Sequence, residues 1–322
     1  MKRFTGIAAA FLLAAGSALA QTPAFPSRAV TVVVPYSPGG LPDTVARVIG
    51  QKLGEKWGQP VVIENKPGGN GIVAADYLAN KAPDGYALMV TDNTMFTVNP
   101  WIYSKLPYDP AKSFTFISLT ATAPLFLAVH PSVPANNFTE WVAFVKSKPG
   151  HLSYGSAGVG SIHQLTMESI KSTLGLDILH VPYKGCGQAV PALVGGQVSS
   201  IFCAYPSLAG FAKEGRVKLV AVNSIKRSSL ASDIATIAET TIPGFDFAPS
   251  IGFSGPPGMP AALAQKIAAD VAEVVKDPAL AERLRVLGID PVGGGPEQYA
   301  SMLNEERTRM EKVVKAAGAK AD

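Results

Sequence analysis

Val30-Thr31-Val32-Val33-Val34-Pro35-Tyr36-Ser37-Pro38-Gly39-Gly40-Leu41-Pro42-Asp43 changes character twice. The opening run is apolar and β-branched, the pattern of a strand buried on both faces. Pro35 to Gly40 break it. From Thr44 onward Val45, Val48, Ile49 and Leu53 return at helical spacing. Strand, tight loop and helix start therefore follow one another. Such a turn leaves backbone N–H groups unpaired at the positive end of a helix, which suits an anion. Ser37 adds a hydroxyl there, and Asp43 falls in the first helical turn, where an acid caps the helix or reaches the ligand.

The same grammar returns in Leu152-Ser153-Tyr154-Gly155-Ser156-Ala157-Gly158-Val159-Gly160-Ser161-Ile162-His163, followed by a helix through Leu165, Met167 and Ile170. Two such loops in two halves of one chain describe a cleft that holds a carboxylate from both sides. Elsewhere strands and helices alternate, which predicts an α/β protein with a largely parallel sheet in each half. The strands include Pro60 to Asn65, Tyr86 to Val90, Ile178 to Tyr183, Gly196 to Ala204 and Val217 to Val222. Phe116 to Val129 reads as one long strand leaving the first lobe for the second, and Phe247 to Phe253 as the return crossing. Ligands in open α/β sheets lie beyond the carboxyl ends of the strands. That rule places Asn93 and Thr94 near Ser37, with helix capping as the equal alternative.

The chain of 322 residues is long enough for two domains. Its content, 47% hydrophobic and 16% charged, excludes a disordered chain. Lys2 and Arg3, the apolar run Ile7 to Ala15 and Ala18-Leu19-Ala20 form an export signal, with cleavage expected after Ala20. The formal charge of +4 falls to +2 without Lys2 and Arg3, and no basic cluster exceeds Lys226-Arg227. Nucleic acid is therefore not an expected partner. Cys186 and Cys203 both lie in the exported part, and helix and strand lengths return them to one level. A disulfide is compatible with that placement and with an oxidising compartment. Two Cys and four scattered His lack metal-ligand spacing, so no metal and no cofactor are expected.

Catalytic signatures are also missing. The nucleophile elbow is absent, since Gly155-Ser156-Ala157-Gly158 has the wrong spacing, and there is no Gly-Lys-Ser/Thr phosphate loop. Ser161 and His163 have no evident acid to orient them, so a Ser/His hydrolase is a poor alternative. Lys184 is either a cation near the ligand or a solvated lysine. Tyr36, Phe96, Tyr205 and Phe253 are candidates for ring contacts, with core packing the alternative for the two phenylalanines.

The mature chain resembles the receptor family of tripartite tricarboxylate transporters, also called the Bug family. The matching segments are Pro26-Ser27-Arg28 with Val32 to Gly40, Gly58 to Gly68, Ala82 to Tyr86, Leu106 to Pro110, Ser156 to His163, His180 to Gly185 and Leu287 to Gly294. The resemblance implies a two-lobed, type II-like Venus flytrap with two crossover strands and a periplasmic location. Its expected division is 21–123 with 250–322 as lobe one and 124–249 as lobe two. It implies a monomeric solute-binding protein that hands a small carboxylate to the permease subunits of the transporter, or presents it to a sensor kinase. Tyr36, Ser37, Pro38, Gly39, Gly40, Asp43, Asn93 and Thr94 would line the site from lobe one. Ser156, Ala157, Gly158, Gly160, Ser161, His163, Tyr183 and Cys203 would line it from lobe two. Family members often carry Gly-Gly-Thr-Asp where this chain has Gly40-Leu41-Pro42-Asp43, and an acidic Phe-Asp-Asn where it has Phe202-Cys203-Ala204. Loss of that acid removes a partner for a ligand ammonium. The expected ligand is a mono- or dicarboxylate, aromatic acids included, without an amine.

Overall fold

The computed structural model describes residues 25–36, 38–183 and 185–321. The segment read as an export signal, Ser37 and Lys184 lie outside them. The first half runs β1 (Val30–Val34), α1 (Leu41–Trp57), β2 (Val61–Asn65), α2 (Ile72–Ala79), β3 (Ala87–Asp92), α3 (Thr94–Thr97), α4 (Asn99–Ile102) and β4 (Thr115–Thr122). Next come β5 (Leu125–Val129), α5 (Phe138–Ser147), β6 (Ser153–Ser156), α6 (Ile162–Leu174), β7 (Leu179–Pro182), α7 (Cys186–Val194), β8 (Ser200–Ala204), α8 (Tyr205–Lys213), β9 (Lys218–Val222) and α9 (Ile237–Thr240). The chain returns through β10 (Ser250–Gly255), α10 (Ala261–Lys276), α11 (Pro278–Val286), β11 (Asp290–Gly294) and α12 (Pro296–Ala317).

Two sheets result, in the orders β11-β4-β10-β3-β1-β2 and β7-β6-β8-β5-β9. Neither is largely parallel, contrary to the expectation from alternation. Strands β1, β2 and β3 run parallel, as do β6, β7 and β8, each joined by a helical crossover. The remaining pairings are antiparallel: β10 with β3 and β4 and β11 with β4 in the first sheet, and β5 with β8 and β9 in the second. The stretch from Phe116 to Val129 is also two strands, not one. Ala123-Pro124 separates β4 from β5, because proline cannot donate to a ladder and fixes φ.

Burial follows the sheets. Val30, Val32 and Val34 on one face of β1 join α1 and α10 in one core, while Val33 faces α2 and Phe96 in another. This two-sided burial is why the strand reads as continuous apolar sequence. Phe126 and Ala128 face the α7–α8 side of the second sheet, and Leu125, Leu127 and Val129 face Trp141 and Tyr154. No helix of the described residues is long and apolar enough to cross a membrane.

The crossings are laced together. Asn223, fully buried, accepts from Leu125 N–H through Oδ1 (2.8 Å) and donates from Nδ2 to Phe247 carbonyl (2.9 Å). Ala123 N–H donates to Pro249 carbonyl at 2.9 Å. A third link is α12, whose Tyr299 and Leu303 pack with Phe96 while its Met310 and Val314 enter the core of the second sheet.

Candidate functional site

The loop from Tyr36 to Asp43 is held from below by the Asp43 side chain, only 2% exposed. Oδ2 accepts from Gly39 N–H (2.8 Å) and Arg47 Nε (2.9 Å), and Oδ1 accepts from Asn65 Nδ2 (2.8 Å). Asn65 Nδ2 also reaches Tyr36 carbonyl at 2.9 Å. Burial raises the Asp43 pKa, but the bonds from Arg47, Gly39 and Asn65 outweigh it and hold the carboxyl below its ordinary value. The Asp43 side chain therefore braces the loop from beneath. Pro38 and Pro42 have no N–H, and Gly39 N–H is already bonded. The backbone donors left at this helix start are those of Gly40, Leu41 and Asp43, which have no intrahelical partner. Tyr36 is partly exposed, and burial of its hydroxyl together with the adjacent Asp92 carboxylate pushes its pKa up. It stays a neutral donor.

Asn93 is 2% exposed, donates from Nδ2 to Glu306 of α12 and exchanges bonds with Ser250, so its side chain fastens the crossing. Thr94 N–H donates to Asp92 Oδ1 at 3.0 Å, and the Thr94 side chain is partly exposed. Phe96 and Phe253 are fully buried core residues, whereas Tyr205, packed on Phe126, remains partly exposed beside Cys203.

The second loop spends its side chains on its own shape. Ser156, 1% exposed, pairs its hydroxyl with His180 Nε2 (2.7 Å) and with Gly158 (3.1 Å to both N and O). Ser161 is the N-cap of α6: Oγ donates to Gly158 carbonyl (2.6 Å) and accepts from Gln164 N–H (3.3 Å). Gln164 Oε1 in turn accepts from Gly160 N–H at 2.7 Å. Gly158 and Gly160 take φ of +125° and +75°, backbone that favours glycine. Tyr183 N–H donates to Ser156 carbonyl (3.0 Å), and its ring lies under Gly155. What remains for a ligand at this helix start is backbone: Ile162 and His163 N–H have no partner within the helix, and Ala157 is partly exposed beside them. The loop therefore presents amides, with the hydroxyls of Ser156 and Ser161 turned to structural use.

Cys186 and Cys203 form a disulfide, Cα–Cα 6.1 Å, joining the start of α7 to the end of β8. Cys203 is wholly buried and Cys186 partly exposed. Ligand-capable atoms of His163, Cys186 and Cys203 lie within 4.8 Å of one another, a grouping the sequence spacing had not revealed. His163 Nδ1 is buried with no hydrogen-bond partner. Burial alone pushes its pKa down to about 4, so the imidazole is neutral at pH 7. Ser161 and His163 share no hydrogen bond among the described residues, and Ser161 Oγ donates to a carbonyl, so the geometry of a Ser–His nucleophile is absent.

Gln164, His180, Asn65, Glu306 and Asn223 were not singled out from sequence. Gln164 had a readable signal, since Ser161-Ile162-His163-Gln164 fits the S-x-x-Q capping box. The others act across long sequence separations and had none.

Comparison with known proteins agrees with this architecture. A UPF0065 protein of Bordetella pertussis is 36% identical over 309 residues, covering 96% of this chain and 95% of that one. A Rhodopseudomonas palustris protein solved with adipate superposes with a TM-score of 0.82 at 32% identity, over 92% of this chain and 99% of that chain. MatC of the same organism, solved with bound malate, gives 0.76 at 33% identity, over 90% and 100%. The profile of the tripartite tricarboxylate transporter family receptor, TctC, matches residues 45–319. With its two lobes, laced crossings and paired helix-start loops, the chain belongs to the TctC (Bug) family of periplasmic solute-binding proteins.

Proposed function

We propose that this protein captures a small mono- or dicarboxylate lacking an amine between its two lobes and delivers it to the membrane permease of a tripartite tricarboxylate transporter. The reading carries with it a monomer in the periplasm, exported by a signal cleaved after Ala20. One observation supports it above the rest. The second loop offers unpaired amides at the start of α6, beside a disulfide and a neutral His163. Amides stabilise a carboxylate. An ammonium would need an anion there, and Cys203 occupies the position where relatives often carry Asp. The adipate and malate of the solved relatives are amine-free acids. Ligand bridging both loops would shift the population toward a closed form by its differential affinity.

The test is a thermal-shift screen of the mature chain with adipate, malate, aromatic acids, aspartate and glutamate. A ligand that binds only the native state at about 100 times its Kd raises Tm by roughly 5 °C. Adipate, malate or an aromatic acid is expected to do so and aspartate is not. Shifts confined to aspartate and glutamate would overturn the amine-free reading. No shift with any acid at millimolar concentration would overturn carboxylate capture itself.

A further inference from the structure

We propose that Cys186, Cys203 and His163 form a latent site for a thiophilic divalent or monovalent cation, opened when the disulfide is reduced. Two observations meet here. The two sulfurs and a His163 ring nitrogen already lie within 4.8 Å of one another. His163 Nδ1 is buried without any hydrogen-bond partner, an arrangement that costs free energy unless something occupies the nitrogen.

The step balances. A dithiol reductant attacks the partly exposed Cys186 sulfur and gives up two electrons and two protons. The protein disulfide becomes two thiols and the reductant becomes a disulfide. A divalent ion then displaces both thiol protons and binds two thiolates and one imidazole. Sulfurs about 2.3 Å from a tetrahedral ion sit roughly 3.7 Å apart. The Cα separation of 6.1 Å needs only side-chain rotation to accommodate that. Two thiolates and an imidazole select zinc or a copper(I)-like ion over magnesium or calcium. Three protein ligands leave a fourth position open. A divalent ion with two thiolates and a neutral imidazole is neutral overall, so the metal adds a Lewis-acidic centre to this wall without adding net charge.

The experiment titrates Co(II), without any carboxylate, into anaerobically reduced and desalted protein and into the oxidised protein. Reduced wild type is expected to take up one Co(II) with near-ultraviolet thiolate-to-cobalt charge-transfer absorption, and oxidised protein to show none. His163→Ala should keep the disulfide when oxidised and, when reduced, bind Co(II) at least about tenfold more weakly, the scale seen when a metal site loses a supporting group. The Cys186→Ser, Cys203→Ser double variant should lose the charge-transfer bands. Their absence in reduced wild type would overturn the proposal, as would equal affinity in His163→Ala. Loss of near-ultraviolet circular dichroism on reduction would overturn it too, because the site requires the folded chain. The screen with free acids on oxidised protein is independent of all these results, so failure of one reading leaves the other standing.

Discussion

The two helix-start loops look alike in sequence and are built by opposite means. The loop at Tyr36–Asp43 is shaped by a charge from beneath: one buried carboxylate collects a backbone N–H, a guanidinium and an amide. The loop at Ser156–His163 has no charged side chain in its frame. Two hydroxyls, the Gln164 amide and the neutral His180 fold it, and two left-handed glycines let the backbone turn. The first loop also has two prolines that delete donors, whereas the second keeps its amides. The difference assigns unequal work. On the proposed reading the second loop would be the stronger anion cradle and the first a rigid, partly apolar edge, its Tyr36 hydroxyl bonded to Asp92.

The sharpest way to break this comparison is Asp43→Ala. It strands Gly39 N–H and Asn65 at once, and each unmet buried donor costs on the order of 1 kcal/mol or more, whereas the half-exposed Arg47 turns to water. A loss of about 2 kcal/mol is expected in urea unfolding, with Asp43→Asn recovering part of it. A loss under about 0.5 kcal/mol, the scale of an ordinary surface change, would show that the brace is unimportant.

Next in size is Glu306, which ties α12 to Asn93 at the crossing. Burial raises its pKa to about 7, against 4.5 for an ordinary glutamate. A raised acid stabilises the fold where it is protonated, so this contribution is full below about pH 4.5 and is lost as pH climbs through 7. Between pH 5 and 8 the wild type should lose on the order of 2 kcal/mol from this group. Glu306→Gln keeps an acceptor for Asn93 and removes the charge, so its stability should change less over that range and exceed wild type at pH 8. Parallel pH profiles for the two proteins would refute the assignment.

How legible this was depends on the range of the interactions. The apolar run Val30–Val34 and the loop glycines are local signals, and they placed β1 and both helix starts. Antiparallel entry of β5, β10 and β11 was hidden, because a strand's direction is set by its partner and not by its own residues. Short helices α3, α4 and α9 lack the length to show a period. Asp43 and Asn93 were recognised as important at the right loops, but their direction was not. A carboxylate at a third helical position reads the same whether it points to a ligand or to an asparagine from the next strand.

Glycine substitutions test the two loops directly. Gly39 has φ +85° with nothing within 4 Å of an added Cβ. Gly39→Ala meets only left-handed strain, about 1 kcal/mol. At Gly160, φ +75°, an added Cβ would sit 2.8 Å from Ile102 Cδ1 of α4. Gly160→Ala therefore adds a clash to the strain, for about 2 kcal/mol in total. It should also weaken carboxylate binding more than Gly39→Ala does. Equal costs at the two positions would mean that α4 yields to the loop and that the second loop is not the more closely packed.

Ser161→Ala carries the smallest effect and the most pointed one. Ser161 Oγ has its proton on Gly158 carbonyl and one lone pair toward Gln164 N–H, so its removal uncaps α6 and frees Gly158. Loss of a serine N-cap costs about 1 kcal/mol, and Ser161→Gly should cost only a few tenths. A hydroxyl that directly gripped a carboxylate would behave differently. Its loss would remove a charge-assisted hydrogen bond, roughly 1.5–3 kcal/mol or at least about tenfold in Kd. With the amides of Ile162 and His163 as the donors, Ser161→Ala should change Kd by no more than about threefold while lowering Tm. Calorimetry on whichever acid the screen selects separates the two. A tenfold loss of affinity at unchanged Tm would return Ser161 to the ligand and make the second loop a side-chain site after all.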